Sequence, residues 1–370
     1  MRVGIDARKA ADFGIGTYLR NLSSLLAEQN PDCQWVLFHR PGDESLLPAG
    51  GNITLVPEAA GTYSARELLS LSRQARRSRL DLFHSPHYTL PFRLPCPSVV
   101  TIHDLIHLIF KEYLPHYPAR YYARWMIGRA LREATGIITV SRSSARDISH
   151  HFPEWDGEVS VVPNGVEKTF AARPLPEVRA WLSTTLDLKR GYLLFVGNPK
   201  KHKNLDLLMR AFARLQTSYT SLDLVIVGGS DRHHVELEEQ AQSLGIGPKV
   251  RLFGTVDHDT LAFLYSAATV FVFPSLYEGF GLPPLEAMAC GAPVVASTSS
   301  SIPEVLGPAA AYFSPESVDS LMTALCRVLD SSDYRGRLSR MGLKRAKLFT
   351  WDEAARRTMD VYRKTLGEAR

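Results

Sequence analysis

Pro274-Ser275-Leu276-Tyr277-Glu278-Gly279-Phe280-Gly281-Leu282-Pro283-Pro284-Leu285-Glu286-Ala287-Met288-Ala289-Cys290-Gly291-Ala292-Pro293-Val294-Val295-Ala296 joins one apolar strand to the next. Val270–Pro274 and Pro293–Ser297 have strand length and composition. Between them lie a glycine-rich loop and a helix opened by Pro283-Pro284, where the missing proline N–H is not needed. Glycines let the backbone approach a ligand, and free N–H groups at a helix start attract phosphate. Glu278 and Glu286 bracket the loop with seven residues between them. A carboxylate accepts two hydroxyl hydrogen bonds, which suits the vicinal diols of sugars. The segment can therefore hold a diphosphate at its centre and a sugar at each end.

The same alternation of strand and helix runs through the chain. Further strands are expected at Arg2–Asp6, Trp35–His39, Leu82–His84, Ser98–His103, Gly136–Ser141 and Val159–Val162, with helices such as Thr17–Glu28 and Ala119–Ala134 between them. The second half repeats the style at Tyr192–Gly197, Leu222–Gly228, Val250–Gly254 and Ala311–Phe313. Such alternation predicts parallel sheets covered on both faces, an α/β architecture of two doubly wound, Rossmann-like domains. A length of 370 residues suits two domains. The expected division is 1–170 and 190–350, with Pro163–Arg190 as the connector, Arg173-Pro174-Leu175-Pro176 extended, and 351–370 a helix packing back on the N-terminal domain. Ligands of parallel α/β sheets bind outside the carboxyl ends of the strands, which predicts a site in a cleft between the two.

Composition narrows the classes. Hydrophobic residues at 45% and charged residues at 22% describe an ordinary globular chain. A net charge of +5 is too mild for a nucleic-acid binder and fits a protein that handles anions. Cys33, Cys96, Cys290 and Cys326 are dispersed without a CxxC pair, the pattern of reduced cytosolic cysteines. The chain opens directly on a strand, without a signal-peptide pattern, and contains no apolar run of about 18 residues. A cytoplasmic protein is expected, with any membrane contact peripheral at the inner face.

The Glu278-to-Glu286 segment resembles the Glu-x7-Glu motif of retaining GT-B glycosyltransferases, in particular family 4. Val3-Gly4-Ile5-Asp6 with Gly14-Ile15-Gly16-Thr17-Tyr18, Thr101-Ile102-His103-Asp104, Thr139-Val140-Ser141, Val162-Pro163-Asn164-Gly165-Val166, Phe195-Val196-Gly197-Asn198 and His202-Lys203-Asn204-Leu205 are similar to family stretches in the family's order. The resemblance implies the GT-B fold with a central cleft and assigns roles. Glu278 would bind hydroxyls of the transferred sugar and Glu286 the ribose. Main-chain N–H groups of Phe280, Gly281 and Leu282 would meet sugar and phosphate oxygens. Lys203 would neutralise the diphosphate, helped by Lys200 or Lys201, because Asn198 stands where many members carry an arginine. His103 would contact the donor sugar, and Gly14 and Gly16 would line the donor side of the cleft. Catalysis is thus expected from His103, Lys203 and Glu278.

Three further features need a reading. His84 and His87 end a strand and are expected to line the acceptor side. Asp257-His258-Asp259 matches an Asp-x-Asp metal pattern, but its place before Leu261-Ala262-Phe263-Leu264-Tyr265 reads as a helix N-cap, so no metal and no cofactor are expected. Arg73, Arg76, Arg77 and Arg79 form a basic cluster, and the arginine–aromatic run Arg120 to Arg129 reads either as a helix that rests on an anionic membrane or as a half-buried helix with a solvated basic face.

The resemblance implies transfer of a hexose from a nucleotide sugar, with mannose from GDP-mannose the leading donor by similarity to bacterial mannosyltransferases. The acceptor would be a glycan or lipid-linked saccharide of surface-polysaccharide assembly. A sugar-nucleotide epimerase and a non-catalytic transferase subunit share the architecture. The epimerase would convert donor without acceptor; the subunit would lack the site residues that are present here.

Overall fold

The computed structural model describes residues 1–61, 65–110 and 117–368, with side chains left aside at 65–66 and 117–120. The chain divides into two compact units, Met1–Gly165 with Thr350–Arg370, and Val166–Phe349.

The first unit holds seven parallel strands: β1 (Arg2–Asp6), β2 (Gln34–His39), β3 (Ile53–Pro57), β4 (Leu82–Ser85), β5 (Ser98–Ile102), β6 (Gly136–Thr139) and β7 (Val159–Val161). Their order is β3-β2-β1-β4-β5-β6-β7. The second holds β8 (Gly191–Val196), β9 (Leu222–Val227), β10 (Val250–Phe253), β11 (Val270–Phe273), β12 (Val294–Ser297) and β13 (Ala310–Phe313), ordered β10-β9-β8-β11-β12-β13. Every pairing is parallel. Both sheets are doubly wound, as the alternation predicts. Chain order reverses between β1 and β4 in one unit and between β8 and β11 in the other, and crevices for ligands open at such reversals.

The sheets are held by apolar helix stripes. The helix Leu205–Leu215 buries Leu205, Leu208, Met209, Phe212 and Leu215, a helical repeat, against Leu193, Phe195, Leu224 and Ile226. Each such side chain contributes about 1.5–3 kcal/mol on burial.

Two expectations need correction. β3 was not foreseen; it is a partly exposed edge strand paired only with β2 and ends at Pro57, which an edge tolerates. The connector is also shorter than expected. Leu175–Thr185 is a helix of the second unit, with Pro176 in its first turn where a lost N–H costs nothing.

The last helix, Trp351–Thr365, is started by Thr350, whose side chain accepts from the Glu353 N–H at 3.2 Å. It packs in the first unit against the helix Ile15–Gln29. Among the described residues no helix is long and apolar enough to cross a membrane.

Candidate active site

At the reversal of the second sheet, the loops after β8 and β11 carry the residues singled out from sequence. After β8, Asn204 adopts left-handed backbone (φ 58°) and its amide donates to the carbonyls of Pro274 (3.2 Å) and Pro315 (2.8 Å). This staple fixes the turn that presents Lys203. The Lys203 ammonium meets Glu278 Oε1 at 2.6 Å, with both side chains largely buried, and lies 5.5 Å from the centre of the Phe273 ring. Two residues distant in sequence are thus brought into one charge pair. Lys200 and Lys201, by contrast, are exposed.

The loop after β11 is clamped by serines that the sequence reading passed over. Ser300 Oγ accepts from the Glu278 N–H at 2.8 Å and donates to its carbonyl at 3.0 Å. Ser301 Oγ lies 2.9 Å from the Glu278 carbonyl and 3.1 Å from that of Phe280, and Ser297 Oγ donates to Ser275 at 2.6 Å. The hydroxyl-rich run Thr298-Ser299-Ser300-Ser301 after a strand was visible, but the main chain it clamps lies 21 to 23 positions away and was not.

Gly281 caps the following helix, Leu282–Ala289, with φ 93°, a conformation that favours glycine. Pro283 and Pro284 have no N–H, so Gly281 and Leu282 supply the donors at this helix start. Phe280 is buried edge-on against Phe349, 5.8 Å between ring centres. Asn198 Oδ1 and Ser275 Oγ are buried with no hydrogen-bond partner among the described residues, the state of polar atoms that await a ligand or water.

Glu286 sits one turn into the helix. Part of its side chain reaches solvent, yet burial around the carboxyl pushes its pKa up to about 7, against the opposing hydrogen bond from Tyr265 Oη at 2.9 Å. His202 is buried and held neutral, its pKa driven down to about 4 by burial and by Lys203.

In the first unit the site residues fare unequally. Gly14 (φ 28°) borders open space where a side chain would meet nothing within 4 Å. Gly16 is spent on packing: a Cβ there would lie 2.5 Å from the Ala10 carbonyl oxygen, and its N–H already donates to Asp12 and Phe13. The His103 ring donates from Nε2 to the Pro86 carbonyl at 3.0 Å, which leaves Nδ1 as an acceptor. Burial lowers its pKa to about 4, so the ring is neutral near pH 7.

His84 does not line a surface. It is fully buried, with Nε2 2.8 Å from Thr101 Oγ1 and Nδ1 2.7 Å from Tyr362 Oη of the last helix. Both nitrogens are occupied, and the residue ties that helix to the sheet. His87 is buried as well. Asp257 is the predicted N-cap, accepting from the Thr260 N–H at 2.7 Å. Arg129 is withdrawn from the basic face, buried and donating to the carbonyls of Leu90 (2.7 Å) and Pro91 (3.0 Å). The Arg120 side chain lies outside the described residues.

Two family models match end to end. Residues 14–170 match "Glycosyltransferase Family 4" and residues 183–345 match "Glycosyl transferases group 1". The Escherichia coli O-antigen chain mannosyltransferase B is 32% identical over 369 residues, covering 95% of this chain and 96% of that one. The chain belongs to glycosyltransferase family 4. The MMP alpha-(1->4)-mannosyltransferase of Mycolicibacterium hassiacum is 34% identical over 243 residues, 64% of this chain and 56% of that one. Among solved structures, a sucrose-phosphate synthase from Thermosynechococcus elongatus superposes with a TM-score of 0.83 at 23% identity, covering 99% of each chain. The fold of this family 4 glycosyltransferase is GT-B.

Proposed function

We propose that this glycosyltransferase moves mannose from GDP-mannose, with retention of anomeric configuration, onto a glycan or lipid-linked saccharide during surface-polysaccharide assembly. The observation that carries the reading is the Lys203–Glu278 pair at the reversal of the second sheet, with Glu286 on the adjoining helix. The mannosyltransferase relatives favour the sugar, and GDP as its carrier is taken from the family resemblance.

Chemically, a donor diphosphate entering beside Lys203 competes for its ammonium. The pair parts, Lys203 turns to the phosphates, and Glu278 is released to accept sugar hydroxyls. Departing diphosphate is stabilised by Lys203 and by the N–H groups of Gly281 and Leu282, an electrostatic role. Asn198 Oδ1, buried and orphaned, accepts a hydroxyl or amide proton of the donor. Glu286 accepts the ribose hydroxyls. The acceptor hydroxyl attacks on the face from which diphosphate leaves, and a donor phosphate oxygen takes its proton. The roles of His103 and Gly14 rest on the family resemblance, with the neutral His103 ring accepting a sugar hydroxyl at Nδ1.

Glu286→Ala is expected to weaken GDP and GDP-mannose alike, and Glu278→Ala to spare GDP while slowing transfer, each roughly tenfold or more for a lost charged hydrogen bond. Calorimetry with GDP and steady-state transfer measure both. The reverse pattern would invert the donor's orientation. Thermal shift with GDP-, UDP- and ADP-sugars tests the base, since a tight ligand stabilises the fold by mass action.

We further propose metal-independent transfer, because Asp257 is committed to its helix cap and Lys203 supplies the positive charge. Loss of activity in excess EDTA, restored by magnesium or manganese, would refute it. Peripheral contact with an anionic membrane belongs to the same reading. Arg73, Arg76, Arg77, Arg93, Leu69 and Phe92 line a hollow of about 420 Å³, and Trp125 lies 6.3 Å from the Phe92 ring. Each arginine near an anionic surface contributes about 1 kcal/mol. Flotation with anionic vesicles at low salt should carry the protein, and neutral vesicles should not.

A further inference from the structure

Glu286 is surrounded by groups of the second unit that the reaction leaves unassigned. Tyr265, on the helix His258–Ala267, is fully buried, and its hydroxyl donates to Glu286 Oε2 at 2.9 Å. Its ring is fixed edge-on by Phe271 (5.5 Å) and Phe170 (5.8 Å). From the start of the same helix His258 Nδ1 faces Glu167 Oε2 at 2.9 Å, and both act electrostatically on the Glu286 carboxyl, Glu167 opposing its charge and His258 favouring it. Buried Cys290 adds a nearby titratable group one turn on, with Arg173 acting upon it. The Tyr265 hydrogen bond anchors one oxygen of the Glu286 carboxyl, and the part of the side chain that reaches solvent gives a ligand access to the group.

We propose that Tyr265 is a positioning residue for nucleotide binding: its hydroxyl holds the Glu286 carboxylate in the orientation that receives the ribose diol. The inference rests on the reading of Glu286 as the ribose ligand. Burial favours the protonated carboxyl, which can accept fewer hydroxyl protons, and the Tyr265 hydrogen bond works against that tendency. Affinity for nucleotide then rises with pH as Glu286 ionises, and the tyrosine sets where along the pH axis this occurs. Removing the hydroxyl moves the rise to higher pH.

The test is Y265F, which keeps the ring and its aromatic contacts. GDP affinity is measured by calorimetry from pH 6 to 9 in the native protein, Y265F, E286Q and E286A. E286Q has no titratable group there and gives the profile due to the nucleotide's own phosphates. Relative to that profile, native affinity should climb through about pH 7. Y265F should bind GDP roughly tenfold more weakly at pH 7, with the deficit shrinking toward pH 9. At saturating donor its kcat should stay within about twofold of native, so the effect falls on KM. A deficit of equal size at every pH, or none at all, overturns the positioning role. Should E286A bind GDP normally, the ribose reading itself falls, and Tyr265 falls with it. Should E286A bind weakly while Y265F is indistinguishable from native, only the role of Tyr265 falls.

Discussion

Each unit gathers polar side chains around its sheet, and the best-defined group of each is built differently. In the first unit the groups are closed on one another. Arg8, 1% exposed, grips Asp6 through Nε (2.8 Å) and Nη2 (2.7 Å), reaches Glu67 at 2.6 Å and donates to the Ala60 carbonyl at 3.0 Å. Tyr362, His84, Thr101 and Tyr18 form an unbroken buried chain. In the second unit the loops that carry the Lys203–Glu278 pair also carry orphaned Asn198 Oδ1 and Ser275 Oγ, and burial pushes the pKa of the Glu286 carboxyl up to about 7. A closed buried network specifies structure, and an incomplete one beside a charge pair offers a place for a ligand or water; single orphaned atoms, such as Trp35 Nε1 and Asn164 Oδ1, occur in the first unit as well.

The largest expected effect probes the closed network. Arg8→Ala leaves Asp6 and Glu67 buried without their cation, which costs about 3–5 kcal/mol. Urea unfolding should show an early transition in the first unit, with hydrogen exchange in the second unaltered. Exchange that rises equally in both would break the contrast.

Acid comes next. His84 and His103 have pKa values pressed down to about 3 and 4 by burial, and His87 is lowered as well. The unfolded chain binds protons near pH 6.5 that the folded unit refuses, so stability is intact above that pH and is lost as pH falls toward 4. Each histidine costs about 1.4 kcal/mol per pH unit through that window. In the second unit, Glu286 has the opposite sign, since its raised pKa makes stability fall as pH rises from about 4.5 to about 7, and this offsets His202. Hydrogen exchange at pH 5 should therefore open the first unit before the second.

Lys203→Ala tests the incomplete network. Transfer should slow by about 10²–10³, the cost of removing one preorganised electrostatic partner of a developing charge. Stability should fall by less than for Arg8→Ala, because the Glu278 side chain is 13% exposed where that of Glu67 is 2% exposed. A large loss of stability with modest loss of rate would recast the pair as structural. The smallest effect is expected for Tyr362→Phe, about 1–3 kcal/mol from leaving His84 Nδ1 unsatisfied, with transfer kinetics unchanged.

How legible was this in the sequence? The doubly wound sheets followed from strand-length apolar runs, and twelve of the thirteen strands were placed in this way. The exception, β3, is an edge strand whose residues are all partly or fully exposed, so its pattern is diluted. The helix opened by Pro283-Pro284 and the cap at Asp257 were readable because local chemistry decides them. His84 was misread because a histidine at a strand end looks the same whether it meets a ligand or Tyr362, and that partner lies 278 positions away. Glu67, the second partner of Arg8, lies 59 positions away, and the serines clamp main chain 21 to 23 positions away. Those partners are set by the folded sheet, which no local window contains; Asp6, two residues from Arg8, was within reach of one.

Membership of the Thr350–Arg370 segment in the first unit bears on how the molecule is made. A ribosome delivers β1 to β7, then the whole second unit, and only then the helix bearing Tyr362. The second unit is continuous in sequence and can complete its core on emerging. The first must wait, with the faces of the helix Ile15–Gln29 and of β5 and β6 that the last helix covers still wet, until the whole second unit has emerged and that helix has followed it. Chain order and folding order therefore run opposite to each other: the unit begun first is the one finished last.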